Sequence, residues 1–432
     1  MRAPPDKHLD DIVSQSTEVR CLMVASTFAP IHGGSAVVYE NLCHKMPPGT
    51  IRVLTASTSY LDRAPISGWR AFDAAQPYPV DRIPLLRPPM LPAPANRLVS
   101  LWRLVTQDLP LYARVLWSAA RIVRKHDINL VCVGELVTGS WLGIALRRLF
   151  GCKLVIYVHG EEITTRTDGH MGSKRKDFLL AADKIVAVSS FTCDVIRELG
   201  VPDESIVLIQ NGVDIDRFTP GPPEQALIER HRLQGKQVIV TVGRLVPRKG
   251  ADMAVRAMKQ VVARRPGIHY LIVGTGELRP ELERLIDSEG LRDWVTLVGQ
   301  VSDAELLGYL RTCDLFLMPN RTMPDGDTEG FGLVFREANA CRKPVVGGRA
   351  GGAVEAVADG VSGLLVDGRN PDEIAAAVER ILSDPALSQR LTEAGYQLAR
   401  EHSTVAVAHQ FLRTCEHVLG NRTPSRPPVP ST

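Results

Sequence analysis

Short runs of β-branched and aliphatic residues recur along the chain, each followed by a longer segment whose apolar positions return every three to four residues. In the first half these runs fall at Val19–Ser26, Ile51–Ala56, Leu130–Val133, Leu154–Val158 and Ile185–Val188. In the second half they fall at Ile206–Ile209, Val238–Val242, Tyr270–Val273, Val295–Val298, Leu315–Met318, Pro344–Val346 and Leu364–Val366. Most are apolar at consecutive positions, as parallel strands covered on both faces are. Strand–helix alternation in both halves predicts an α/β protein of two Rossmann-like, doubly wound domains.

The rhythm breaks at "GVPDES", Gly200–Ser205. This sets the predicted boundaries: a first domain over 19–205, a second over 206–388, and a helical stretch over 389–419 that crosses back to the first. The polar ends, 1–18 and 420–432, are predicted to be disordered. A chain of 432 residues, 44% apolar and 23% charged, suffices for two cores. A net charge of +3 gives no argument for nucleic acid as a partner. The eight cysteines form no CxxC pair, so free buried thiols in a reducing cytoplasm are expected and zinc is not. No apolar run approaches the ~18 residues of a membrane span, and Met1–Glu18 lacks the apolar core of a secretion signal.

In doubly wound folds ligands bind beyond the carboxyl ends of the strands, so the residues that follow each strand are the candidates. After the first strand, Gly33 and Gly34 precede a helix starting near Ser35, where free N–H groups could face an anion; a plain strand–helix turn is the alternative. After Val158 comes "HGEEIT", which places His159 at the end of a central strand. After Val242 comes "GRLVPRKG": Arg244 and Lys249 bracket a loop entering a helix, a combination suited to a diphosphate. After Val273, Gly274 and Gly276 form a lone GxG, a weak signal, and Val301 ends "VGQV", where backbone groups could face a base. The stretch "TEGFGLVFREANACRKPVV" puts Glu329 at a helix mouth, Gly330, Phe331 and Gly332 after it, and Glu337 along the helix. Carboxylates there can accept hydrogen bonds from vicinal hydroxyls.

At this point the chain resembles a known family. "EGFGLVFRE" is similar to the E-x7-E motif of retaining GT-B glycosyltransferases, in particular glycosyltransferase family 4. The family also carries "GRL…KG" (Gly243, Arg244, Leu245, Lys249, Gly250), "NGVD" with a following "RF" (Asn211–Asp214, Arg217, Phe218), a glycine-rich first loop and a "GG–E–V–G–GLLV" segment (Gly351–Val366). The resemblance implies two Rossmann-like domains facing across a cleft that takes a UDP- or GDP-sugar as a substrate, with no cofactor and no metal. It implies that Glu337 binds the ribose, Glu329 and the Gly330–Phe331–Gly332 backbone hold the sugar, Arg244 and Lys249 hold the diphosphate, and His159 lies beside the anomeric carbon. It further implies retention of configuration and a sugar, lipid-linked or small-molecule acceptor, as in cell-surface polysaccharide or glycolipid assembly.

Two segments stand outside that pattern. Asp325-Gly326-Asp327 spells DxD, which reads as a polar loop because Arg244 and Lys249 already supply cations. Residues 97–125 hold Arg97, Arg103, Arg114, Arg121, Arg124 and Lys125 against the single acid Asp108, interleaved with Trp102, Leu104, Leu109, Leu111 and Trp117. The alternatives there are peripheral contact with an anionic membrane, on its cytoplasmic face, and a pair of helices burying an apolar face. For the whole chain, a nucleotide-sugar 2-epimerase and a non-catalytic nucleotide-sugar-binding protein are the competing functions. A nicotinamide dehydrogenase is disfavoured because "APIHGGSAV" does not fit GxGxxG.

Overall fold

The computed structural model describes residues 19–31, 33–90, 96–164 and 174–420. The two predicted disordered ends lie outside the described residues, apart from Gly420. The first sheet contains β1 (Cys21–Val24), β2 (Ile51–Ala56), β3 (Val80–Ile83), β4 (Leu130–Val133), β5 (Lys153–Val158), β6 (Lys184–Ala187) and β7 (Ile206–Leu208). The second contains β8 (Gln237–Val242), β9 (Ile268–Val273), β10 (Val295–Gly299), β11 (Leu315–Met318), β12 (Val345–Gly348) and β13 (Leu364–Val366). Their spatial orders are β3-β2-β1-β4-β5-β6-β7 and β10-β9-β8-β11-β12-β13, with parallel pairing throughout. Both are the doubly wound sheets expected. The chain reverses its direction of winding between β1 and β4 in the first and between β8 and β11 in the second, and this opens a crevice at each place.

One boundary and one strand differ from the sequence reading. The strand at 206–208, assigned there to the second half, pairs with β6 and closes the first sheet, so that sheet runs past 205. β3, "VDRI", was not anticipated: it is an edge strand with no fully buried position, so it lacks the apolar run that marks the others. The crossing at the C-terminus is built from two helices. Pro385–Glu401 packs on the helix Leu333–Ala340 of the second domain, and Thr404–Val418 packs on the helix Gly34–Lys45 of the first, burying Phe411 and Cys415 in its core. The "NGVD" segment anchors this return: Val213 N–H donates to the His402 carbonyl at 3.0 Å, and Thr404 N–H donates to the Val213 carbonyl at 3.0 Å.

Residues 97–125 form one continuous helical element rather than two helices: Arg97–Arg103, a π-helical turn over Leu104–Asp108, then Leu109–Lys125. Pro110 carries no amide hydrogen, and the widened turn, in which Leu109 N–H reaches back to the Leu104 carbonyl, carries the chain past it without a break. Val115, Ala119, Ile122 and Val123 are buried, but Leu98, Leu101, Trp102, Val105, Leu109 and Trp117 are exposed. All eight cysteines are buried free thiols.

Candidate functional site

The crevice of the second sheet is lined by the loops that leave β8 and β11. Gly250 has φ +74°, and a Cβ there would lie 2.0 Å from the Pro319 carbonyl oxygen, so only glycine lets the two loops meet. That contact brings Lys249 Nζ to 2.5 Å from Glu329 Oε2, with the two side chains 14% and 12% exposed. One residue earlier, the buried Arg248 lies 3.4 Å from the Asp327 carboxylate. Arg244 is exposed at the mouth of the same loop. Burial alone would raise the Glu329 carboxyl; Lys249, Arg248 and Arg244 together outweigh it and hold the group below its ordinary range.

Glycines shape the rest of this wall. Gly274 and Gly276 press against the β8 loop, where added Cβ atoms would meet the Gly243 and Leu245 carbonyl oxygens at 1.9 and 2.4 Å. Leu245 N–H donates to the Thr275 carbonyl at 2.8 Å, which ties the two loops together. Gly332 is the N-cap of Leu333–Ala340 and offers no capping side chain, so the Leu333 and Val334 N–H groups are left for a ligand, while Phe335 N–H donates to the Gly332 carbonyl at 3.0 Å. The Phe331 ring points the other way, into the core beneath the Arg336 guanidinium, and leaves only its backbone at the cleft. Glu337 sits inside the helix and is nearly buried. Burial pushes its carboxyl up to about 7, against the pull of Arg217 and Lys249 and with the help of Asp303. Val301 lies beyond β10, half-buried beside the cluster around Leu227 and Tyr309.

The first domain supplies the opposite wall. Gly33 and Gly34 stand at the N-terminus of Gly34–Lys45 with open space where a Cβ would be. His159, at the end of β5, is half-buried; burial pushes its imidazole down to about 4, so it is neutral near pH 7. Its backbone N–H donates to Glu162 Oε1 at 2.8 Å. The two walls touch here: a Cβ on Gly330 would lie 1.9 Å from the His159 carbonyl oxygen, and one on Gly160 would lie 3.1 Å from Gly330 Cα. Gly352 continues the seam against the Gly330 carbonyl, and Glu355 bridges the domains by accepting from Phe191 N–H at 3.2 Å and from Gln210 Nε2 at 2.8 Å.

The structure therefore gathers Lys249, Glu329, Arg244, Gly330, Phe331, Gly332, Glu337 and His159 around one cleft. Gly274 and Gly276 border it through loop packing. The DxD segment closes a turn in which Asp325 accepts from Asp327 N–H at 3.0 Å, while Asp327 faces Arg248. Sequence reasoning passed over Arg248, Arg336 and Glu355. Arg248 sits beside Lys249 in the basic loop, where adjacency hid its separate role. Arg336 is a charged residue buried beside Phe335, Ala338 and Ala340 on its helix, and its guanidinium donates to the backbone carbonyls of Leu398 and Glu355 at 3.2 and 3.0 Å.

Residues 32–217 match the family model described as Glycosyltransferase Family 4, and residues 224–398 match Glycosyl transferases group 1. The chain is 35% identical over 284 residues to a GDP-mannose-dependent alpha-(1-6)-phosphatidylinositol monomannoside mannosyltransferase of Mycolicibacterium smegmatis, covering 65% of this chain and 74% of that protein. It is 30% identical over 385 residues to a GDP-mannose-dependent monoacylated alpha-(1-6)-phosphatidylinositol monomannoside mannosyltransferase of Corynebacterium glutamicum, covering 88% and 93% of the two chains. The crystal structure of Anabaena HepE in complex with UDP and glucose superposes with a TM-score of 0.73 at 21% identity, covering 92% of this chain and 99% of that one.

Proposed function

This chain belongs to glycosyltransferase family 4 and is a hexosyltransferase of the GT-B fold; from that premise we propose that it transfers mannose from GDP-mannose, with retention of configuration and without a metal, to a hydroxyl of a phosphoinositide-type glycolipid. The observation that carries the reading is the meeting of Lys249, Arg244, Glu329 and the Gly330–Phe331–Gly332 backbone at one crevice, closed by the His159 strand end. Negative charge grows on the departing diphosphate, and Arg244 and Lys249 are the cations placed to stabilise it. Glu329, held ionised by its cationic neighbours, accepts hydroxyls of the sugar and keeps the Lys249 ammonium in place. Glu337 accepts from the ribose. The leaving phosphate takes the acceptor proton on the same face, so Glu329 acts by binding and not as a nucleophile. The donor base and sugar are taken from the relatives' names, and the acceptor class from the same source.

Thermal-shift and calorimetric titration with GDP, UDP, ADP and GDP-mannose, each with and without EDTA, tests this. GDP and GDP-mannose should stabilise the protein equally in both conditions. Binding lost in EDTA would return Asp325 and Asp327 as metal ligands, and no nucleotide binding would remove the reading.

The acceptor is proposed to be reached at a membrane surface. No helix among the described residues is long and apolar enough to cross a membrane. Supporting peripheral contact, Leu98, Leu101, Trp102 and Trp117 are 78%, 57%, 60% and 63% exposed on one element that also exposes Arg114, Arg121, Arg124 and Lys125. Cosedimentation with vesicles containing phosphatidylglycerol should exceed that with phosphatidylcholine alone, and Leu98→Ser with Trp102→Ser should abolish it. Equal recovery of the double variant on anionic vesicles would refute this surface.

A further inference from the structure

The transferring sugar meets His159 in the reading above, and the structure around that residue specifies more than its position. The Tyr39 ring is fully buried, on the helix Gly34–Lys45. Its hydroxyl donates to the Gly134 carbonyl beyond β4. His159 Nε2 lies 2.6 Å from the same oxygen. A phenol has one proton, and the Gly134 carbonyl can only accept. If the hydroxyl turned its proton to Nε2, two acceptor oxygens would face each other at hydrogen-bonding distance. The phenolic oxygen must therefore accept from the ring, and Nε2 must carry a hydrogen.

The arrangement is rigid. The Tyr157 ring stacks on His159 with centroids 5.1 Å apart at 21°, and the Tyr39 ring meets it edge-on at 5.1 Å and 73°. A Cβ at Gly134 would lie 2.6 Å from the Tyr39 ring, so the carbonyl that takes the proton is reached only because that position is glycine. Among the described residues, no hydrogen bond is made to His159 Nδ1. Glu162 is engaged with the His159 backbone, and Glu135 with Ser26, Thr27 and Thr138, so neither carboxylate reaches the ring.

We propose that Tyr39 is a positioning residue that holds His159 as the neutral tautomer protonated at Nε2, leaving Nδ1 as a hydrogen-bond acceptor for a hydroxyl of the transferring sugar. The proposal rests on the sugar-transfer reading for what Nδ1 meets, but not for the tautomer itself. The chemistry suits the reaction: positive charge develops at the anomeric carbon, and an uncharged acceptor can orient the sugar there where an imidazolium would oppose it.

The test is nitrogen NMR of the full chain labelled at histidine, with the His159 signals assigned by their loss in His159→Gln. In the unsubstituted protein at pH 7.5, Nε2 should give a protonated, pyrrole-type signal and Nδ1 an unprotonated, pyridine-type one. Tyr39→Phe removes the acceptor of Nε2–H, so His159 should become a mixture of tautomers, and release of GDP from GDP-mannose should slow about tenfold in kcat with KM nearly unchanged. A protonated Nδ1 or an imidazolium in the unsubstituted protein overturns the proposal, whether or not Tyr39→Phe folds. So does a folded Tyr39→Phe protein with an unaltered His159 spectrum and kcat. If the unsubstituted protein shows the stated tautomer but neither binds nor hydrolyses GDP-mannose, the GDP-mannose reading fails and the role of Nδ1 toward its sugar falls with it, while the Tyr39–His159 pairing stands on the spectrum.

Discussion

Lys249→Met tests the centre of the site because it separates two jobs of one side chain. Lys249 and Glu329 are 14% and 12% exposed, so their pairing is shielded from solvent. Breaking a buried pair by removing one partner costs about 3–5 kcal/mol, because the remaining charge is left unpaired. Arg248 and Arg244 still act on Glu329, which reduces the expected loss to about 2–3 kcal/mol. For a domain of this size, that is a melting shift of roughly 5–10 °C. The sign of its pH dependence follows from Glu329. Its folded value is lowered, so the stability it contributes is present above the unfolded value of about 4.3 and is lost as pH falls through the folded value. The deficit of Lys249→Met should therefore be largest near neutrality and shrink on acidification. Glu329→Gln in the same chain should restore much of the lost stability, because neither charge is then stranded. It should not restore donor binding: losing a charge-assisted contact of about 1.5–3 kcal/mol weakens GDP affinity about 10–100-fold. The assays are thermal unfolding from about pH 3 to 7.5 and calorimetric GDP titration. An unchanged melting temperature across that range, with unchanged GDP affinity, would refute the pairing and its role together.

Three further outcomes follow from other parts of the cleft. Gly330→Ala places a Cβ at 1.9 Å from the His159 carbonyl oxygen, so it should hold the walls apart and lower kcat more than tenfold while GDP still binds; small-angle scattering with GDP should show a larger radius of gyration than the unsubstituted protein. Glu337 is pushed up to about 7, so its own contribution to stability falls as pH rises from its unfolded value through 7; ribose hydroxyls favour the ionised form, and GDP binding near pH 6.5 should release a proton, seen as a buffer-dependent enthalpy that vanishes in Glu337→Gln. Arg244 is exposed, so Arg244→Ala should leave the melting temperature within about 1 °C yet lower turnover of GDP-mannose at least tenfold; full activity would remove it from the diphosphate site.

The sequence was legible where one physical signal dominates. Buried parallel strands announce themselves by unbroken apolar runs, and the β8 and β11 ends were found with their loops. β3 escaped because an edge strand needs no apolar face, and β7 was placed in the wrong half because a strand says nothing about which sheet it joins. At the site, Lys249 and Glu329 are each recognisable, but a separation of 80 positions along the chain conceals that they form a pair. Tyr39 was invisible for the same reason: its partners, Gly134 and His159, lie 95 and 120 residues away. Residues 97–125 show the limit from the other side, since one composition fits a buried helix pair and an exposed apolar element equally well.

The glycines account for why the two walls can cooperate. Gly250 lets the β8 loop touch the β11 loop, and Gly330 lets the β11 loop touch the β5 end, so the diphosphate cations, the sugar carboxylate and the histidine are joined through contacts in which no side chain intervenes. Such contacts have little slack: added carbon at either position collides with a carbonyl oxygen, so small displacements of one loop are passed to the next instead of being absorbed by rotamer changes. Without a diphosphate, a cluster of Lys249, Arg248 and Arg244 would repel itself, and Glu329 against Lys249 and Asp327 against Arg248 supply counter-charge. In the proposed function a donor brings its own negative charge, so Lys249 would gain a second anionic partner while Glu329 would turn to the sugar hydroxyls. On the proposed reading the same carboxylate stabilises the crevice and holds the sugar, so its loss should be read in melting temperature and in turnover alike.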